Sequence, residues 1–234
     1  MTCDENSVDE RFPYARPTVC ELSGDVRVSP KQRTVYLVNP SGGGGGFDES
    51  VEKRLRPYAR KDDSSMPDVT VKSVASGAAA PECTKRHAVP AVVFSAGGYN
   101  TDNNLFDDDM TDALVPLFLT TAHLDGDVQL LVTNYKPWWV QKYTPVLRKL
   151  SRHDVMSFDA ADEDDAVHCF PAGAFLGLYR DRDLILSPHP TRNPRNLTMV
   201  DFARFLRGAL ALPRDRPAVL GGAPGMRPRL LVVS

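Results

Sequence analysis

The sequence lacks a long hydrophobic segment, a strong net charge and any cysteine pair at metal-binding spacing. Its 28 basic and 30 acidic side chains give a net charge of −2, which excludes the basic surface typical of nucleic-acid or anionic-membrane binding proteins. The longest apolar run, residues 88–96, is far shorter than the ~20 residues of a membrane-spanning helix. The first five residues are polar and acidic, unlike a secretory signal.

What is present is ordinary globular composition with a somewhat high proline content. Hydrophobic residues make up 42% of the 234 positions, which is enough for one large domain or two small ones. The four cysteines form no C-x-x-C motif and no zinc-finger spacing with histidine, so we expect no structural zinc. From spacing alone they are either buried free thiols or one of three possible disulfide arrangements.

Hydrophobic patterning alternates between apolar runs and amphipathic segments, which indicates an α/β domain. The charged stretch 47–70 is expected to be exposed. Apolar and β-branched runs predict strands at 34–38, 89–95, 128–133, 155–158 and 184–186. Helical periodicity predicts helices at 109–123, with Asp109 as N-cap, and at 138–150 and 198–212.

Composition also divides the chain into four parts. Residues 1–32 are a polar N-terminal segment and 33–212 the α/β domain. The segment 213–228 carries four Pro and three Gly, a linker composition, and 229–234 predicts the first strand of a further domain. Glycines 42–46 lack the Gly-Lys-Ser/Thr ending of a phosphate loop and predict a surface loop instead.

Acidic side chains concentrate at residues 104–112, beside the Gly97-Gly98 turn that ends a predicted buried strand. Open α/β sheets bind ligands at the carboxyl ends of their strands, so this cluster is a candidate site. The alternative is a solvated helix N-terminus. The D-x-D patterns at 107/109, 125/127 and 181/183 either hold a divalent cation or arise by chance in an acid-rich chain, and we assign no metal.

An aromatic motif with a cation, residues 134–139 (NYKPWW), follows the next predicted buried strand. Lys136 and Trp138 suit a sugar or phosphate ligand. The alternative is core packing of both tryptophans, which is the better interpretation of Trp139. His189 and Arg192 either serve a site or lie in a proline-rigid loop. Asn196 begins an N-glycosylation sequon.

Several stretches, in collinear order, resemble plant glycosyltransferase family 61, and most closely its grass members that add arabinose or xylose to xylan. They are 19–27 (VCELSGDVR), 89–95 (VPAVVFS), 97–99 (GGY), 111–118 (TDALVPLF), 134–139 (NYKPWW) and 169–171 (CFP). The resemblance implies a Rossmann-like N-terminal domain of a GT-B glycosyltransferase, with the second domain largely missing. It also implies the Golgi lumen, a type II membrane anchor absent from this sequence, and a sequence truncated at both ends.

The resemblance further implies two disulfides, Cys3–Cys20 and Cys83–Cys169, because the family is lumenal. It makes Asn196 a glycan site. The donor would be a UDP-sugar, bound as a substrate, and the acceptor xylan or a related polysaccharide, with no cofactor, metal or nucleic acid.

The resemblance implies an acceptor-activating base, for which we expect Asp112 first and then Asp108, which stands at the family's histidine position. Other side chains expected to bind substrate are Asn104, Lys136, Trp138, His189 and Arg192. The alternative function is an inactive truncated homologue or fragment that binds only glycan or a partner.

Overall fold

A computed structural model describes residues 1–4, 17–39, 52–59, 66–75, 80–97, 109–159, 166–181, 185–186 and 188–214. The glycine run 42–46, the loop 98–108 with Asn104 and Asp108, most of the 213–228 segment and the expected strand 229–234 lie outside these residues.

Within the described residues, strands form two six-stranded sheets. Sheet one has the order β1-β2-β12-β8-β9-β10 and sheet two the order β5-β6-β4-β3-β11-β7. The strands are β1 (Thr2–Asp4), β2 (Val19–Leu22), β3 (Asp25–Ser29), β4 (Thr34–Asn39), β5 (Glu52–Leu55), β6 (Val69–Ala75), β7 (Lys85–Arg86), β8 (Ala91–Ser95), β9 (Gln129–Thr133), β10 (Met156–Ser157), β11 (His168–Phe170) and β12 (Ala174–Leu176).

Both sheets mix parallel and antiparallel pairs. In sheet one, β12, β8, β9 and β10 run parallel, and β2 pairs antiparallel with both β12 and β1 at one edge. In sheet two, β4 pairs parallel with β6 and antiparallel with β3. The chain therefore has a mixed α/β architecture, as the alternating sequence pattern predicts.

The three predicted helical segments are all present. A π-helical turn, Asp109–Leu114, leads into α1 (Val115–Thr121) and a 3₁₀ turn (Ala122–Leu124). Helix α2 is Pro137–Leu150 and α3 is Met199–Ala209. The wide turn before α1 has a local cause, since Pro116 lacks an N–H and its ring crowds the carbonyl four residues earlier. Among the helices described, none has the length and apolar character needed to cross a membrane.

The core has two layers, one on each face of sheet one. Along β8, Val92 and Phe94 pack with the helices, whereas Ala91 and Val93 pack with residues of sheet two. Strand β8 is thus buried on both faces, which explains why its sequence is continuously apolar rather than alternating. Helices, sheet one and sheet two stack in that order.

Two disulfides join distant parts of the chain, as the resemblance implied. Cys3 and Cys20 are directly opposite each other on β1 and β2, and Cys83 bonds to Cys169 of β11. The described part of the chain has no free cysteine, so the buried-thiol alternative is wrong.

Two expectations about exposure and strands are wrong. Within the charged stretch 47–70, Leu55, Tyr58, Met66 and Val69 are buried, because β5 and β6 pair in sheet two and Tyr58 and Met66 belong to a small buried cluster of their own. Residues 185–186 form no strand. Strands β1 to β3, all within residues 1–32, lie in the same two sheets as the rest of the chain.

Candidate functional site

Polar side chains collect where the parallel strands of sheet one end. Parallel strands have their carboxyl ends at one edge, which is where open α/β sheets place ligands. We call this the carboxyl edge. It is formed by the residues that follow each strand, namely 96–97, 134–136, 158–159 and 177–181.

Asn134 ties two neighbouring strand ends together at this edge. Its backbone is left-handed, with a φ of 54°, which asparagine tolerates better than most residues. Its side-chain amide donates a 2.6 Å hydrogen bond to the Gly97 carbonyl and approaches the Met66 sulfur at 3.4 Å. The Ser95 hydroxyl donates to the same sulfur at 3.2 Å. These contacts fix the point at which the chain leaves β8.

Asp112, the first candidate for the base, lies in the π-helical turn and is only 2% exposed. Its carboxylate pairs with the Arg180 guanidinium at 2.9 Å and accepts a 3.2 Å hydrogen bond from the Tyr58 hydroxyl. Arg180 also donates to the Thr111 carbonyl at 3.1 Å. The carboxylate therefore joins three separate segments, and its role as a base stays a prediction.

The Asp109 carboxylate is also held by several contacts, all of them from side chains of helix α2. It accepts from the Trp139 indole at 2.9 Å, from the Tyr143 hydroxyl at 2.6 Å and from the Lys142 ammonium at 3.1 Å. Burial, together with the hydrogen bond to this carboxylate, raises the pKa of Tyr143. The expectation that Asp109 is an N-cap is wrong, because Asp109 is itself the first residue of the π-helical turn and its oxygens accept from these α2 side chains.

The two tryptophans of the aromatic motif face different surroundings. Trp139 is 1% exposed and packs in the core, as predicted, whereas Trp138 is 37% exposed. Lys136 is half-buried at the N-cap position of α2, whose first turn carries both tryptophans. The Tyr135 N–H donates to Asp159 at 3.2 Å, and Asp159 also binds Arg33 of the β3–β4 turn.

His189 and Arg192 lie in one loop but in different surroundings. The buried Arg192 guanidinium pairs with Asp4 at 2.6 Å, lies 3.9 Å from Asp181 and stacks over the Tyr179 ring. It lines a cavity of about 90 Å³ beside α1. His189 is exposed and its Nδ1 is 2.7 Å from the Thr191 hydroxyl. Arg192 also approaches the backbone carbonyl of Arg180 at 3.5 Å, and the role of both residues in substrate binding stays a prediction.

The sequon lies on the surface. Asn196 is exposed in a turn with a φ of 49°, and Thr198, its third residue, caps α3 by accepting from the Asp201 N–H. This exposure is compatible with a glycan, which stays a prediction.

The D-x-D carboxylates that can be described have other partners. Asp125 forms a two-point contact with Arg195, and Asp127 pairs with Arg152. In the described part of the chain, no three metal-ligating side chains come together.

Sequence reasoning missed two members of the Asp112 cluster, Tyr58 and Arg180. Tyr58 lies in the stretch that its charge suggested was exposed. Arg180 comes four residues after β12, so the rule that ligands bind at strand ends could have found it once β12 was recognised as parallel to β8.

Comparison with known proteins finds plant glycosyltransferases of similar sequence. The chain is 74% identical over its full length to the rice beta-1,2-xylosyltransferase XAX1 and 43% identical over 95% of its length to the rice alpha-1,3-arabinosyltransferase XAT3. It is 28% identical over 79% of its length to the Arabidopsis xylan glycosyltransferase MUCI21. The chain spans 40%, 36% and 37% of the length of these relatives. No protein-family model matches it.

These relatives are, by name, plant glycosyltransferases. The chain is similar along its whole length to xylan xylosyl- and arabinosyltransferases of the plant glycosyltransferase family 61 type.

Proposed function

We propose that the protein transfers a pentose, xylose or arabinose, from a UDP-sugar to a hydroxyl group of xylan. The observation that carries the proposal is the 74% identity to a rice xylosyltransferase along the whole chain. The known relatives add either xylose or arabinose by name, so both pentoses remain within the proposal.

In the proposed reaction, the oxygen of the acceptor hydroxyl attacks the anomeric carbon of the donor pentose. The bond from that carbon to the diphosphate oxygen breaks, and UDP leaves with the electron pair. The acceptor proton passes to a base on the protein, for which Asp112 is the first candidate and Asp108 the second. The protein must also position the two substrates, since donor and acceptor have to be held together in one cleft.

The contacts of Asp112 set a condition on that role. Because this carboxylate is only 2% exposed and already contacts Tyr58 and Arg180, an acceptor hydroxyl can reach it only if these surroundings rearrange. The same observation favours the second candidate function, in which the chain binds glycan without transferring sugar and Asp112 only holds the edge together.

Further features of the proposal follow from the family. We propose a GT-B arrangement in which the mixed α/β unit is the N-terminal half, residence in the Golgi lumen, a glycan on Asn196 and transfer without a metal or other cofactor. The two disulfides support the lumenal setting, since disulfides persist in oxidising compartments.

The test is calorimetric titration of the purified 234-residue chain with UDP-xylose and UDP-arabinofuranose, followed by transfer to xylohexaose measured by mass increase. We expect saturable donor binding and a product heavier by one pentose. A folded chain that binds xylohexaose but transfers nothing supports the glycan-binding function. A folded chain that binds neither donor nor xylohexaose contradicts both.

The role of Asp112 is tested by Asp112→Asn, which keeps the size of the side chain and removes its basicity. We expect transfer to fall by about 100-fold or more with xylohexaose binding retained. Asp154→Asn is the matched control, because this carboxylate is 96% exposed and its loss should leave transfer unchanged. Retained transfer in Asp112→Asn shows that another group takes the proton.

A further inference from the structure

Trp138 presents an apolar surface that the fold does not use. The chain has two tryptophans, adjacent in sequence, and the core takes up only Trp139. Burying an indole removes a large apolar area from water, so an indole left 37% exposed forgoes part of that stabilisation.

The support beneath Trp138 is rigid. Pro137 fixes the first turn of α2, and Trp139 is held by its hydrogen bond to Asp109. On the other side, the Tyr135 N–H is held by Asp159. A side chain on such a pinned segment loses little conformational entropy when a ligand stacks on it, which is a property of preorganised binding sites.

The charge around the carboxyl edge suits a neutral ligand. Arg180 is paired with Asp112, Lys142 with Asp109 and Arg33 with Asp159. A diphosphate binds best to several cations that can direct their donors to it, and these three are directed to carboxylates instead. Lys136, two residues before Trp138, adds a single positive charge at this edge, which is less than the charge of a diphosphate. An uncharged pyranose needs an apolar face and a few hydrogen bonds, and the indole supplies the apolar face.

We propose that the Trp138 indole is the stacking platform for a xylopyranosyl unit of the acceptor chain, not for the donor nucleotide. This inference rests on the proposed function and deepens it by assigning the carboxyl edge near α2 to the acceptor. A xylopyranose has no hydroxymethyl group at C5, so its ring presents flat C–H faces that can lie parallel to an indole.

The two tryptophans make a spectroscopic test possible. Acrylamide quenches the fluorescence of exposed tryptophan, so in the free 234-residue chain it reports mainly on Trp138. We expect saturating xylohexaose to shift the emission and lower the quenching constant at least twofold, and UDP to do neither. Oxidation by N-bromosuccinimide, mapped by mass spectrometry, should slow at Trp138 in the presence of xylohexaose.

Variants give the second measurement. Trp138→Ala should weaken xylohexaose binding about tenfold, and Trp138→Phe less, because a smaller ring keeps part of the stacking. Because only 37% of Trp138 is exposed, Trp138→Ala also loses packing, and Trp138→Phe is the variant whose melting temperature should change less. Val200→Ala is the matched control, because this residue is 66% exposed on α3 and its truncation should leave binding unchanged.

The remaining outcomes separate this inference from the proposed function. Xylohexaose that binds without protecting Trp138, and equally to Trp138→Ala, overturns the inference and leaves the proposed function in place. Protection of Trp138 by UDP overturns the assignment to the acceptor. A folded chain that binds no xylohexaose overturns the inference, and donor binding in the same sample then decides whether the proposed function survives.

Discussion

Asp109 shows how a single residue can connect two elements at the edge of a site. One carboxylate accepts hydrogen bonds from three side chains of α2, which come from the first and second turns of that helix. It thereby fixes α2 against the π-helical turn that begins at Asp109 and contains Asp112. The position of the candidate base therefore depends on a neighbour that has no direct part in the proposed chemistry.

The prediction at this scale is that Tyr143→Phe destabilises the chain by about 1–2 kcal/mol. The substitution removes the hydroxyl that donates to Asp109 at 2.6 Å, and hydrogen bonds to charged groups are worth more than neutral ones. Urea unfolding followed by circular dichroism measures the change. Tyr36→Phe is the control, since its hydroxyl bonds the Gln32 side chain at the surface. Equal effects of the two variants contradict the prediction.

Single residues also show which parts of the site can be predicted from the amino-acid sequence. Trp139 was predictable as core because it lies on the apolar face of a periodic helix. The partners of Asp112 were not, because Tyr58 and Arg180 are 54 and 68 residues away from it in sequence and only the folded sheet brings them together. Long-range ion pairs have no local sequence pattern.

The strands and helices also differ in how well the sequence predicts them. The buried strands β8 and β9 and the helices α2 and α3 were predicted, because burial on both faces or on one face imposes a local hydrophobic pattern. Strand β5, with the sequence EKRL, has no such pattern, since it is held at the edge of sheet two mainly by backbone pairing with β6. The strands of residues 1–32 were missed for a similar reason, being short and interrupted by turns.

Helix α3 begins with a capping box in which Thr198 and Asp201 each accept from the other's N–H. We expect Thr198→Ala to destabilise the unglycosylated chain by about 1 kcal/mol. Thr198 is also the third residue of the sequon, so the control must remove the sequon but keep the cap. Asn196→Gly does this and suits the φ of 49°. Thermal melts in which the control loses as much stability contradict the prediction.

At the scale of the whole molecule, an imidazole pair makes stability depend on pH. His168 of β11 and His87 lie with ring nitrogens 2.9 Å apart, and His87 also stacks on Phe170. Burial, with smaller contributions from His87 and Lys85, lowers the pKa of His168 to about 4. Burial, followed by the nearby His153 and Lys85, also lowers the pKa of His87.

The direction of the effect follows from linkage. Because the folded pKa of His168 lies below its unfolded value of 6.5, the unfolded chain binds protons first as the pH falls. We therefore expect the contribution of this pair to the free energy of unfolding to be constant above about pH 6.5. Below that pH the free energy of unfolding should fall, by on the order of 2 kcal/mol towards pH 4. Urea melts across this range measure it. In His168→Gln the decline should be smaller, and an unchanged decline contradicts the assignment.

Each of the two sheets combines strands from the beginning and the later part of the sequence, and this has a consequence for synthesis on the ribosome. Strand β2 pairs with β12, and β3 pairs with β11, so each sheet needs strands separated by more than 130 residues of sequence. Sheet two cannot be completed until residue 170 has left the exit tunnel, and sheet one not until residue 176 has, which takes about 10–40 s at eukaryotic and bacterial elongation rates. The Cys3–Cys20 bond can close early, but Cys83 must wait for Cys169. During that interval the nascent chain exposes unpaired apolar strands, and its yield in a heterologous host should depend on chaperones and disulfide isomerases.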